Sequence, residues 1–241
     1  MTQTVFFDPP PSGSLVFPPG SDPAMSGSLV HFVERQRSLS DVLPTRLRRW
    51  GPDGRLANLL VYGELMTRLV YGSNGVRVAC VSDLSMAELE AAFAFGLNTR
   101  GPVGPWAVVL DRIALWSMGF RPVIYAESSK VSAIKDAIEP IVGRHGRALV
   151  VRTELGADDW TAEREWRYCL PMEDTPDWHQ VGPAELDPRI DVRGAIRAVI
   201  VGRSGWRPDF HRDAYVLSPV PRWVWDVEQR KLVHDGQLLL W

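Results

Sequence analysis

Two glutamates and an arginine alternate through Glu163-Arg164-Glu165-Trp166-Arg167-Tyr168. With the two-residue period of a β-strand, Glu163, Glu165 and Arg167 share one face, and Arg164, Trp166 and Tyr168 share the other, which Leu170 continues. The aromatic face asks for a core. The charged face sets two carboxylates one pleat apart with a guanidinium beside them. Such a pair can steady positive charge developing on a reacting carbon while its second member orients a nucleophile. The same residues equally suit a charged outer strand face with cross-strand ion pairs.

The composition sets bounds on that chemistry. The chain has 241 residues, 45% hydrophobic and 23% charged, enough for a sizeable core in one domain. A net charge of −2 gives no basic footprint, so the balance does not indicate nucleic acid. Arg35, Arg37, Arg46, Arg48 and Arg49 leave contact with nucleic acid or an acidic partner open. Cys80 and Cys169 make neither a disulfide framework nor a metal site, and His145, His179, His211 and His234 lack metal-ligand spacing. The N-terminus does not read as a signal peptide, and no apolar stretch reaches the length of a membrane span. A cytoplasmic protein without a metal is expected. Phosphate-loop, nucleophile-elbow and dinucleotide fingerprints are absent from the sequence.

The elements that must position the charged strand follow from local pattern. Residues 1–27, rich in proline, glycine and serine, read as an extended or disordered arm. The body, 28–241, opens with a strand at 28–33 that carries His31 opposite Val30 and Phe32. A short helix at 38–43, a basic connector at 45–49 and a helical period over 55–71 follow. A strand at 76–81 leads to Ser85 and Glu88, a capping-box pair that starts a helix running to about Phe95. Further strands are expected at 106–110, 122–125, 148–152 and 196–201. Asp111 caps one helix, and another spans 130–142. Residues 172–193 read as a long polar loop, and the tryptophan-rich C-terminus as one or two closing hairpins. Strands and helices mix without strict alternation. The expected fold is a single α+β domain with a mixed or antiparallel sheet and packed helices.

Several of these segments resemble the AbiGi family of abortive phage-resistance proteins. The likeness is carried by Leu29-Val-His-Phe32, Val78-Ala-Cys-Val-Ser-Asp83, Trp106-Ala-Val-Val-Leu-Asp-Arg112 and Gly119-Phe-Arg-Pro-Val-Ile-Tyr125. Its most specific part is Glu163-Arg-Glu-Trp-Arg-Tyr168 followed by Pro171, and in all it spans roughly residues 28–202. The chain departs from the family at Ser85, where proline is expected, and at Ala91 and Ala92, where the family tends to carry a histidine. The resemblance implies bacterial phage defence of toxin–antitoxin type, with a nucleotidyltransferase-like partner encoded nearby and an antitoxin label for this member.

A looser resemblance is to ADP-ribosyltransferases, which break the nicotinamide glycosidic bond of NAD through an oxocarbenium-like state. It implies split sheets, and NAD as substrate. By that likeness Glu165 would hold the ribose hydroxyl and Glu163 the nucleophile. His31 is similar to a histidine near the adenosine ribose, and Ser82 would take the middle position. Arg167 and Trp160 would complete the binding surface. Each residue also has a structural role open to it: His31 as a hydrogen-bonded sheet histidine, Ser82 in the turn before a helix, Trp160 and Trp166 as core aromatics. The alternative function is a non-enzymatic antitoxin or binding module that neutralises a partner toxin, with the tryptophan-rich C-terminus as its interface.

Overall fold

A computed structural model of the chain describes residues 27–33, 51–69, 75–96, 103–154, 161–170, 189–208 and 220–239. The arm up to residue 26, the expected helix at 38–43, the basic connector and Trp160 lie outside the described residues.

The first strand, β1 (Ser28–Phe32), becomes the middle of a large sheet. Helix α1 (Pro52–Tyr62) starts on Pro52, whose missing N–H costs nothing in a first helical turn. It buries Leu56, Leu59 and Leu60. The helical period over 55–71 breaks at Gly63, whose φ of 65° closes the helix with its N–H on the Leu59 carbonyl. The rest of that stretch forms the short strands β2 (Glu64–Met66) and β3 (Arg68–Leu69). Strand β4 (Arg77–Ser82) then enters α2 (Met86–Phe95) through the expected capping box, with Ser85 and Glu88 each bonding the other's backbone N–H. Strand β5 (Ala107–Asp111) runs directly into α3 (Arg112–Ser117), capped by Asp111 Oδ1 on the Ala114 N–H at 2.7 Å.

The expected strand at 122–125 is two pieces, β6 (Arg121–Pro122) and β7 (Ile124–Ala126), that join different sheets. Helix α4 (Val131–Val142) is followed by a 3-10 segment, Arg144–Leu149, and β8 (Val150–Arg152). The charged strand, β9, is Glu165–Cys169. Within the expected polar loop lies β10 (Arg189–Asp191), which pairs with β2. β11 (Ile196–Val201), β12 (Val220–Asp226) and β13 (Lys231–Leu239) complete the described chain.

The large sheet runs β13-β12-β11-β5-β1-β4-β9-β6, with β3 beside β4. It is mixed, because β11 and β12 are parallel while the other pairs are antiparallel. β1 pairs with β5 along its whole length, from Ser28↔Asp111 to Phe32↔Ala107. It meets β4 at one position only, Val30↔Ser82. The sheet is therefore two ladders hinged on one bridge, in a single α+β domain whose sheets do not close. One face carries Leu29, Ala79, Val81, Val108, Leu110 and Trp166 under α1 and α3. The other carries Val30, Phe32, Val109, Ala198 and Ile200 under α2. Among the described residues, no helix is long and apolar enough to cross a membrane.

Gly63 is the tightest backbone requirement in this part of the fold. A Cβ there would meet the Arg193 Cβ at 2.7 Å, in a left-handed conformation that side chains disfavour. Gly63→Ala is expected to lower stability by about 1–3 kcal/mol, read as a reduced urea midpoint with an unchanged slope.

Candidate functional site

The strand alternation holds from Glu165 onward. Trp166 and Tyr168 pack on the α3 face, with Trp166 edge-on to Trp116 at 6.0 Å and Tyr168 tilted against Phe120 at 5.7 Å. Glu165, Arg167 and Cys169 take the other face, opposite Ser82, Cys80 and Val78 of β4. Upstream the alternation fails. Glu163 belongs to a 3-10 turn, Thr161–Glu163, and Arg164 has a φ of 39°, left-handed for a residue that is not glycine. Arg164 is therefore not on the aromatic face. Its carbonyl accepts the Asp83 N–H at 3.1 Å, and its exposed guanidinium pairs with Glu88. The joint between β4 and α2 clamps this strained residue from both ends.

The charged face is not an outer one. Glu163 is 2% exposed, Glu165 7% and Arg167 3%. Charges out of water must be paired, and Arg167 is the pairing group. Its Nη2 donates to Glu165 Oε2 at 3.0 Å and its Nη1 to the Ala148 carbonyl at 2.6 Å. Burial works against the Arg167 charge, but the Glu165 carboxylate outweighs it and holds the guanidinium above its ordinary pKa. The Glu165 N–H donates to the Tyr125 hydroxyl at 2.9 Å, which brings β7 onto the same spot.

Cys80 stands opposite Arg167 in the ladder, close enough to feel the Glu165 carboxylate. Burial first, then that carboxylate, pushes the Cys80 thiol well up. Burial pushes Cys169 up to about 12. Tyr125 is also raised, by burial and by the negative charges of Glu165 and Glu163. Both thiols and the Tyr125 hydroxyl are thus held protonated. Ser82 is fully buried, and its Oγ has no hydrogen-bond partner among the described residues. A buried polar atom without a partner calls for an explanation, and Ser82 stands opposite Glu165 in the ladder.

The sequence-derived residues do not all converge. Glu163, Glu165, Arg167 and Ser82 are brought together. His31 alternates with Val30, which pairs with Ser82, so it belongs to the opposite face of the sheet from Glu165. Its Nδ1 lies 2.8 Å from the Cys80 carbonyl oxygen, which makes that nitrogen the donor. The two ladders are thereby tied beside their single bridge. Cys80 is the link, with its carbonyl on His31 and its place in the ladder opposite Arg167. Tyr125, Cys80 and Ala148 were not legible as site residues. Tyr125 and Cys80 stood in strand-like apolar runs that signalled only burial. Among the described residues, no group of three or more His, Cys, Asp or Glu side chains could hold a metal ion.

Comparison with protein-family models, with curated proteins and with solved structures returns no match.

Arg167→Met strands a buried carboxylate and is expected to cost about 3–5 kcal/mol in chemical denaturation. The double variant Glu165→Met/Arg167→Met should be more stable than that single variant. A double variant that simply adds the two losses would show that the ion pair is not the partner relation that matters. At pH 8 both thiols stay protonated in the folded chain, so alkylation by iodoacetamide should run at least about ten times slower than in the urea-unfolded chain. Equal rates would contradict the raised thiols.

Proposed function

We propose that this protein acts in bacterial defence against phage, as its AbiGi-like segments suggest, and that its chemistry is ADP-ribosyl transfer from NAD centred on Glu165. One observation carries the reading: two buried glutamates flank a left-handed Arg164 beside the point where the sheet divides. A carboxylate fixed by Arg167 and shielded from water is an effective stabiliser of an oxocarbenium-like ribose, because its charge is strong in a low dielectric and already oriented. Glu163 would serve the incoming nucleophile. Ser82, with its open Oγ, would contact the ribose or nicotinamide side. His31 would act from the other face by fixing the Cys80 backbone, rather than by touching the same part of the ligand.

The reading is tested with Glu165→Gln. Glutamine keeps an acceptor oxygen for Arg167 Nη2, so the far-ultraviolet circular dichroism should be preserved. NAD consumption should fall at least about 10²-fold below the wild-type rate, the scale seen when a preorganised electrostatic group is removed. Wild type that neither consumes NAD nor gains thermal stability from it would sink the proposal.

A second reading, a binding module that neutralises a partner toxin, draws on β13. This nine-residue strand ends the sheet order, and a strand at that position is a template for pairing with another chain. Copurification of a protein encoded nearby, without NAD turnover, would favour it.

A further inference from the structure

Helix α4 places none of its apolar side chains in the interior. Lys135 is its one buried residue. Val131, Ile134, Ile138, Ile141 and Val142 neither belong to nor pack against a core cluster of the described residues. A helix in a folded chain draws most of its stability from a packed apolar face, so this face asks for a partner.

Seen down its axis, α4 divides into sides of different character. The side of Lys135 and Val142 meets the chain: Lys135 is enclosed, and Val142 lies against Gly146. One flank is polar, where Asp136 and Glu139 accept from Arg147 Nη1 at 2.7 and 2.6 Å. The opposite flank carries Ile134, Ala137, Ile138 and Ile141 within an arc of about 100°. Ile134 and Ile138 are half-buried, Ala137 is exposed, and Ile141 is 59% exposed. The charged residues within the helix, Lys135, Asp136 and Glu139, all lie off this flank.

Spacing and charge identify the occupant. The positions 134, 137, 138 and 141 are spaced alike in both directions, so a twofold axis between 137 and 138 maps the row onto itself. In an antiparallel pair Ile134 meets Ile141 of the second copy, and Ala137 meets Ile138, small against large. Lys130 continues the row one turn earlier, with its side chain 66% exposed. Antiparallel pairing sets this cation beside the C-terminal turn of the other α4, the negative end of that helix, and symmetry does so twice. Parallel pairing would instead oppose the two lysines. We propose that two copies of this chain associate through α4, packed antiparallel on the row of Ile134, Ala137, Ile138 and Ile141. The contact is a single helix flank, so the dimer is a weak one, with a Kd of about 1–100 μM. It does not rest on NAD turnover.

The test is analytical ultracentrifugation of the full chain at concentrations up to about 200 μM. The wild type should pass from monomer to dimer across that range. Ile141→Lys alters an exposed side chain, so the circular dichroism of the dilute chain should hold while Kd rises at least about tenfold. Ala137→Cys stands beside the twofold axis, and a short bis-maleimide should join it into a covalent dimer. Ser132→Cys, exposed on the polar flank, should not be joined, and Cys80 and Cys169 are common to both variants. A wild type that stays monomeric at about 200 μM would overturn the proposal and assign the flank to another occupant. A dimer that Ile141→Lys leaves intact, or cross-linking as fast at Ser132→Cys as at Ala137→Cys, would overturn it too.

Discussion

Arg167 is the group on which the middle of this molecule rests. It projects from β9 of the large sheet, holds a carboxylate of its own strand, and reaches a main-chain carbonyl in the segment after α4. One side chain so joins the sheet to the layer that covers it. A buried ion pair is a poor source of net stability, because desolvation consumes most of the Coulomb attraction. What it contributes is definition. A guanidinium with fixed donor directions sets how the segment after α4 meets β9 more narrowly than an apolar contact would.

The joint between β1 and β4 sets the second constraint. With only Val30↔Ser82 shared, the two ladders diverge, and backbone groups past that point need other partners. His31 supplies one by its contact with the Cys80 carbonyl. The α3 face stays continuous across the joint, since Leu29 and Val108 on one side share a cluster with Val81 and Trp166 on the other. Arg112 adds to this by bonding Asp83 at 2.5 Å while lying 5.8 Å from the Trp166 ring centre. The apolar packing on the α3 face therefore runs unbroken across the joint.

Much of this was legible in the chain itself. The capping box at Ser85 and Glu88, the Asp111 cap and the aromatic face of Trp166 and Tyr168 are local patterns, and local physics decided them. The errors arose where tertiary demands won. The helical period over 55–71 is real, but the left-handed Gly63 ends the helix so that β2 can pair with β10, a strand more than a hundred residues away. Glu163 was read into the strand because alternation has no means of showing the left turn at Arg164, which is enforced by Asp83 and Glu88. Burial of the charged face was hidden as well. Nothing near Arg167 in sequence announces that Ala148 and α4 will cover it.

The pairing of β1 also bears on how the chain is made. This strand leaves the ribosome first among the described strands, yet its full-length neighbour is β5, and the ladder beyond β5 waits for β11 and β12. Leu29, Val30 and Phe32, all destined for the interior, are thus synthesised well before the strand that pairs with them along their whole length. A nascent segment with that timing stays sticky until β5 has been made, and it is a natural client for holding chaperones over that interval.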